Sequence, residues 1–220
     1  MKTVQLHPSQ KKIRINNIFC VGQNYAEHAK EMGSTVAQIP VIFLKPTSAV
    51  IENGDPIILP AMSKSVHHEV ELTVLIGRYG RNIPKSEAMS YIAGYGVGLD
   101  MTMRDVQSDA KKAGMPWSTA KGFYTSAPLS PFVDASQVAD PHKLELTLKV
   151  NGAIRQRTNT GKMNFKVDDL ISFLSTVFTI DEGDIIYTGT PEGVAQVVAG
   201  DLLEAEIPGV GQCTHSVIAE

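Results

Sequence analysis

Cysteine is scarce in this 220-residue chain: Cys20 and Cys213 stand almost a chain length apart, with no C-x-x-C pair. That spacing argues against a disulfide framework or a thiolate zinc site, and both residues read as small buried hydrophobes. Long apolar runs are missing too. None approaches the ~20 residues of a membrane-spanning helix, and the opening MKTVQLHPSQKKIRI lacks the apolar centre of a secretory signal, so the expected compartment is the cytoplasm. Charge of one sign is also absent, since 20 Lys and Arg face 23 Asp and Glu for a formal net charge of -3. This balance offers no footprint for a phosphate backbone or an anionic bilayer, which argues against nucleic acid and membrane as partners. No repeat, low-complexity tract or Pro/Gly-rich linker divides the chain, so residues 1–220 read as a single domain.

Several catalytic signatures are missing as well. There is no G-x-x-x-x-G-K-[ST], no G-x-S-x-G and no H-E-x-x-H. Gly94-Tyr-Gly96-Val-Gly98 imitates part of a dinucleotide fingerprint, but its glycines fall inside a strand pattern rather than at a strand-to-helix turn.

What is present is mostly β pattern. Apolar Asn17 to Val21 suits a strand and runs into Asn24 to Met32, a short helix with Asn24 as its N-cap and Gly33 at its end. Val41 to Leu44 reads as a buried strand stopped by Lys45-Pro46, and Asn53-Gly54-Asp55 turns the chain into a strand at Ile57 to Leu59. From His67 to Ile76 the alternation predicts a half-buried strand: Val70, Leu72, Val74 and Ile76 on one face, Glu69, Glu71 and Thr73 on the other. Ile92 to Leu99 is a strand that delivers Asp100 at its end. The polar segment Thr102 to Ala113 is helix-compatible until Gly114 and Pro116. Leu144 to Val150 alternates up to the hairpin signal Asn151-Gly152, with a return strand at Ala153 to Arg157. Val167 to Phe178 has helical spacing, and strands follow at Asp184 to Thr188, Leu202 to Ile207 and Gln212 to Ile218. The expected class is α+β and β-rich, with few helices.

Against this frame a few residues stand out. Glu69 and Glu71, two apart on a strand, project from one face, where they repel unless a cation or a shared proton intervenes. Asp100, at the end of another strand, offers a third carboxylate. Such an all-oxygen set suits Mg2+, with Mn2+ or Ca2+ as alternatives, better than zinc; the competing reading is the exposed side of an edge strand. His67 shares the face of the glutamates as a substrate or supporting contact, while His68, on the apolar side, reads as a satisfied core histidine. His28 and Glu31, three apart on a helix, form either a histidine made basic by a carboxylate or an ordinary exposed pair. Lys121, alone in Trp117-Ser-Thr-Ala-Lys-Gly122, is either a buried cation near the carboxylates or an ordinary surface lysine. Arg104 and Gln107 share a helix face suited to a carboxylate, or face solvent. The turn Thr188-Gly189-Thr190-Pro191-Glu192-Gly193 offers N–H groups and hydroxyls to a carboxylate.

Taken in order, His67-His68-Glu69-Val-Glu71-Leu, Gly98-Leu-Asp100-Met-Thr-Met-Arg104-Asp-Val-Gln107, Trp117-Ser-Thr-Ala-Lys121 and Asp181-Glu-Gly-Asp184 with Thr188-Gly-Thr190-Pro-Glu-Gly193 resemble the fumarylacetoacetate hydrolase superfamily. Asn24-Tyr-Ala-Glu-His28-Ala-Lys-Glu31-Met resembles the lid helix of its single-domain acylpyruvate hydrolase and oxaloacetate decarboxylase branch. The resemblance implies a mixed β-sandwich roll with a short N-terminal lid helix, usually a homodimer, and Mg2+ or Mn2+ held by Glu69, Glu71 and Asp100. It further implies Lys121 beside the metal, substrate held by Arg104, Gln107, Thr190 and Gly189, and His28 with Glu31 as the catalytic pair. The chain is shorter than fumarylacetoacetate hydrolase itself, which argues against that substrate. The implied activity is cleavage of acylpyruvates, 2,4-dioxo acids such as fumarylpyruvate or acetylpyruvate, to pyruvate and a carboxylic acid. Oxaloacetate decarboxylation and hydroxymuconate-type isomerisation or decarboxylation are alternatives on the same site. From another class comes a non-catalytic scaffold with a structural ion, against which the His28, Glu31, Arg104 and Lys121 set stands.

Overall fold

A computed structural model describes residues 1–35 and 37–220. The chain opens with strands β1 (Thr3–His7), β2 (Lys12–Arg14) and β3 (Ile18–Gly22), then helix α1 (Ala26–Glu31). Strands β4 (Val41–Lys45), β5 (Val50–Glu52), β6 (Ile57–Leu59), β7 (Val66–His67) and β8 (Val70–Ile76) follow. Next come α2 (Lys85–Ala88), β9 (Ile92–Leu99), β10 (Thr102–Met103), α3 (Arg104–Lys112) and α4 (Ser118–Lys121). The last part holds β11 (Ala127–Leu129), β12 (Phe132–Asp134), β13 (Glu145–Val150), β14 (Ala153–Asn159), α5 (Val167–Val177), β15 (Ile185–Tyr187), β16 (Leu202–Ile207) and β17 (Gly211–Ala219). No helix among the described residues is long and apolar enough to cross a membrane.

The expected β-rich α+β class is what the chain forms. A ten-stranded sheet runs β2-β1-β12-β9-β8-β15-β3-β4, with β5 and β11 attached through β9, and a five-stranded sheet runs β14-β13-β16-β17-β6. Both are mixed: β3 lies parallel to β15 and β6 parallel to β17, while most other pairs are antiparallel. Between the sheets one cluster packs Leu72, Val74, Val97 and Leu99 against Leu146, Leu148, Leu203 and Ala205, and the helix α5 adds Leu170, Ile171 and Leu174. A second cluster covers the opposite face of the large sheet with Ile18, Cys20, Leu75, Phe132 and Tyr187.

That second cluster corrects the reading of β8 as half-buried. Every residue from Val70 to Ile76 is buried, because the face bearing Glu71, Thr73 and Leu75 is covered too. The strand is also shorter than expected: β7 pairs with β10 instead, which likewise starts α3 at Arg104 rather than Thr102. Val41 to Leu44 is not a buried strand. It forms an edge, with Leu44 44% exposed, and its one buried residue is Lys45. The hairpin at Asn151-Gly152 forms as read, both residues taking positive φ. Cys20 and Cys213 are buried and unpaired, and burial pushes the Cys213 thiol up to about 12.

Two histidines tie stability to pH. His142 Nε2 accepts the Val167 N–H at 3.1 Å at the start of α5, which requires a neutral ring. On β17, His215 is fully buried, its Nδ1 2.9 Å from the Asp55 carbonyl. Burial holds both below the usual 6.5. The unfolded chain therefore binds more protons below pH 6.5, so their contribution is complete above that value and is lost as pH falls through the depressed folded values. The urea midpoint is expected to be lower at pH 5.5 than at pH 7.5; equal midpoints would contradict this account.

Candidate active site

The three carboxylates meet because β8 and β9 are antiparallel neighbours, with Val70 opposite Leu99 and Glu71 opposite Gly98. Asp100 leaves the end of β9 just where Glu69 precedes β8, and the Asp100 N–H donates to the Glu69 carbonyl at 2.8 Å. Their ligand atoms all lie within 4.8 Å of one another, and all three residues are buried. The glycine-rich strand has its explanation here: a Cβ on Gly98 would stand 2.6 Å from the Tyr187 ring and 2.8 Å from Thr73.

Cations surround the triad. Lys121 Nζ lies 2.7 Å from Glu69 and 2.5 Å from Asp100, and the Arg104 guanidinium pairs with Glu69 and, at 2.7 Å, with the Gln107 amide. Lys45, which the sequence reading took only as the stop of a strand, sits 2.8 Å from the other Asp100 oxygen. Two of its ammonium hydrogens go to the Met101 and Lys121 carbonyls, and Asp100 Oδ1 has no aligned donor, so the contact with Asp100 is ionic. Its side chain is fully buried, a place lysine takes only when paired. Two lysines and an arginine thus match three carboxylates charge for charge.

The match is uneven, and the unevenness decides what the site fits. Burial works to raise Glu69, but Lys121 and Arg104 outweigh it and hold this carboxyl well below its usual range. Glu71 goes the other way: burial, Asp100 and Glu69 all push it up, opposed chiefly by the Gly189 N–H, which donates to it at 2.6 Å. A carboxylate left short of positive charge beside two others, with the Asp100 Oδ1 lacking an aligned donor, is a donor set that a divalent cation fits. With the ion in place the pocket carries net positive charge, which favours an anionic ligand.

On the facing side is the short α1. His28 is 6% exposed and its Nδ1 stands 3.2 Å from Glu31, whose carboxylate also accepts the Gly193 N–H at 3.0 Å. A carboxylate only accepts, so Nδ1 carries a proton, which in the neutral ring leaves the lone pair on Nε2. Asn24 does not cap this helix; Tyr25 stands at the cap without a side-chain bond. The Asn24 amide instead donates to the Thr188 and Phe165 carbonyls and accepts the Phe165 N–H, which fastens the root of α1 to the turn at 188–193.

One cleft is lined by His28, Glu69, Glu71, Asp100, Arg104, Gln107, Lys121 and Thr190, with Phe43 and Trp117 as an apolar wall. Nine of the ten sequence candidates are thereby brought together or, like Glu31, held directly behind. Gly189 differs: its N–H is occupied by Glu71 and is not available to a ligand. Thr190 reaches the cleft, yet its hydroxyl donates to the Val70 carbonyl at 2.9 Å and accepts from Gln156 at 2.9 Å, which leaves it one acceptor position. Gln156 was not foreseen. Arriving from β14 in the other sheet, it also binds His68 at 3.0 Å, so His68 is a core residue satisfied at one nitrogen only, with Nε2 unpartnered. His67 bonds to Ser65 rather than to the triad, and burial with the nearby Arg104 charge lowers it to about 4.

Known proteins are close to this chain in sequence and shape. The family model for the fumarylacetoacetate (FAA) hydrolase C-terminal domain matches residues 17–218. The Rattus norvegicus protein named oxaloacetate tautomerase FAHD1, mitochondrial, is 52% identical over 194 residues, 88% of each chain. Its Homo sapiens counterpart is 49% identical over 201 residues, 91% of each. The crystal structure of fumarylpyruvate hydrolase from Pseudomonas aeruginosa in complex with Mn2+ and pyruvate matches with a TM-score of 0.96 at 37% identity, covering 100% of this chain and 96% of that one. That of 5-carboxymethyl-2-hydroxymuconate delta-isomerase from Mycobacterium smegmatis matches at 0.84 and 40% identity, covering 94% and 80%.

Proposed function

Because the chain belongs to the fumarylacetoacetate hydrolase family of enzymes, we propose that it interconverts the keto and enol forms of a short 2-oxo acid, oxaloacetate first, with the help of Mg2+ or Mn2+. The observation that carries this reading is the single cleft in which three buried carboxylates, a cationic ring and the His28–Glu31 pair face one another. The tautomerase name of relatives about half identical to this chain supports oxaloacetate over longer acids.

Glu69, Glu71 and Asp100 would hold the ion, which supplies Lewis acidity toward the carboxylate and 2-oxo oxygens of the substrate. The remaining work falls to side chains. His28 Nε2 takes a proton from the carbon next to the 2-oxo group and returns it at oxygen, or the reverse, while Glu31 fixes the tautomer and favours the imidazolium. Lys121 and Lys45 offset the negative charge that develops on the 2-oxo oxygen. Arg104, whose buried Nε has no partner among the described residues, and Gln107 receive the adjacent carboxylate.

The same His28 suits a second reading, cleavage of acylpyruvates, where it takes the proton of a water that attacks the distal carbonyl. The match to a fumarylpyruvate hydrolase favours it. Decarboxylation of oxaloacetate and hydroxymuconate-type isomerisation use the same residues without the water. Assay of oxaloacetate enol decay, acetylpyruvate and fumarylpyruvate, each with Mg2+ and with EDTA, separates these. The first reading predicts EDTA-sensitive enol decay. Cleavage of the dioxo acids without enol decay would replace it by the second, and silence on all three with the ion bound would overturn both.

A further inference from the structure

The helix α3 presents Arg104, Gln107 and Lys111 at spacings of three and four, so the three share one face along the cleft. The inner two are tied to each other and, through Arg104, to Glu69, and serve the inner carboxylate in the reading above. Lys121 and Lys45 are committed to Asp100 and Glu69. Lys111 lines the same cleft and has no carboxylate partner among the described residues. Its neighbour Lys112 behaves as an ordinary surface lysine, 75% exposed and facing Asp109 at 3.4 Å. By contrast, the Lys111 ammonium lies 5.0 Å from the Trp117 ring centroid, and that ring leans on Phe43 at 5.8 Å. Lys111 is exposed like its neighbour, but the aromatic wall steers its ammonium over the mouth of the cleft. Partial burial of that ammonium, with Arg104 and Lys121 close by, keeps Lys111 below the usual lysine value, the condition of a cation short of an anion.

Lys111 lies seven residues beyond Arg104, about 10 Å along the helix axis. An anion it serves is therefore not the inner carboxylate at Arg104 and Gln107 but the far end of the same ligand. We propose that Lys111, seated on Trp117, is a specificity-determining residue that receives a second carboxylate and selects dicarboxylic over monocarboxylic 2-oxo acids. This rests on the 2-oxo acid reading above and narrows its substrate class.

The test compares oxaloacetate with its 4-methyl ester, which keeps the carbon frame and removes the distal charge, by turnover and by calorimetric binding in the presence of Mg2+. The wild-type protein is expected to favour the diacid roughly tenfold or more, as a charge-assisted contact implies. Lys111→Met, whose unbranched stem still covers Trp117, should bring the ratio toward one, mainly through KM of the diacid, and Lys111→Arg should keep the preference. A wild-type protein with no preference, or a preference unchanged in Lys111→Met, overturns the assignment while leaving the 2-oxo acid reading intact. Failure of both ligands to bind the wild-type protein overturns that reading itself, and this subsite with it.

Discussion

Replacing His28 by Ala is expected to lower turnover roughly 100- to 10,000-fold, the range that a positioned proton-transfer group supplies. Divalent-ion binding and thermal stability should stay near wild type, because His28 projects from a six-residue helix that Asn24 ties down from outside. Glu31→Gln tests the pair rather than the ring. It keeps the size of the side chain but removes the charge that orients the ring and favours the imidazolium, so a smaller loss of turnover than in His28→Ala is expected. Stopped-flow rates with calorimetric ion titration read both variants. Unchanged turnover in His28→Ala would remove the histidine from the chemistry, and an equal loss of ion binding would make its role structural.

Asp100→Asn should do more than weaken ion binding. Asp100 is the carboxylate that Lys45 and Lys121 share, and both lysines are buried. Without it, Lys121 keeps only Glu69, and Lys45 has no carboxylate partner among the described residues. Removing one partner from a buried ion pair costs about 3 to 5 kcal/mol, far more than the pair contributes against an apolar replacement. Chemical denaturation should show a loss of this size, and Lys45→Met in the same chain should return part of it, because the uncompensated charge is then removed. A loss under about 1 kcal/mol with ion affinity preserved would contradict the arrangement described here.

Much of this site was legible in the sequence because its chemistry is linear in the chain. Glu69, Glu71 and Asp100 lie at the starts and ends of strands whose apolar alternation marks them, and strand pairing alone brings them within reach. His28 and Glu31 are one helical turn apart, so their contact is local. Residues that arrive from elsewhere were not legible. Lys45 reads as punctuation after an apolar run, and only the packing of β4 beside β3 carries it to Asp100. A buried charge at the end of a strand that is otherwise partly exposed is the one signal, and periodicity does not register it. Gln156 hides in a strand of the other sheet and reaches the site through Thr190 and the Pro191 carbonyl. The burial of β8 escaped for a related reason: Glu and Thr look solvent-facing by type, whereas here they face a second packed layer and the triad. The motif Asp181-Glu-Gly-Asp184 proved structural, with Asp184 accepting from the Asn17 and Asp181 backbones.

The central claim is that this cleft forms the enolate of a 2-oxo acid, and exchange of the pyruvate methyl protons with solvent tests it before any question of acyl group arises. In deuterium oxide with Mg2+, followed by proton NMR, the protein is expected to accelerate loss of the methyl signal, and both EDTA and His28→Ala should abolish the acceleration. Exchange no faster than in buffer, with Mg2+ shown by calorimetry to be bound, would contradict the account.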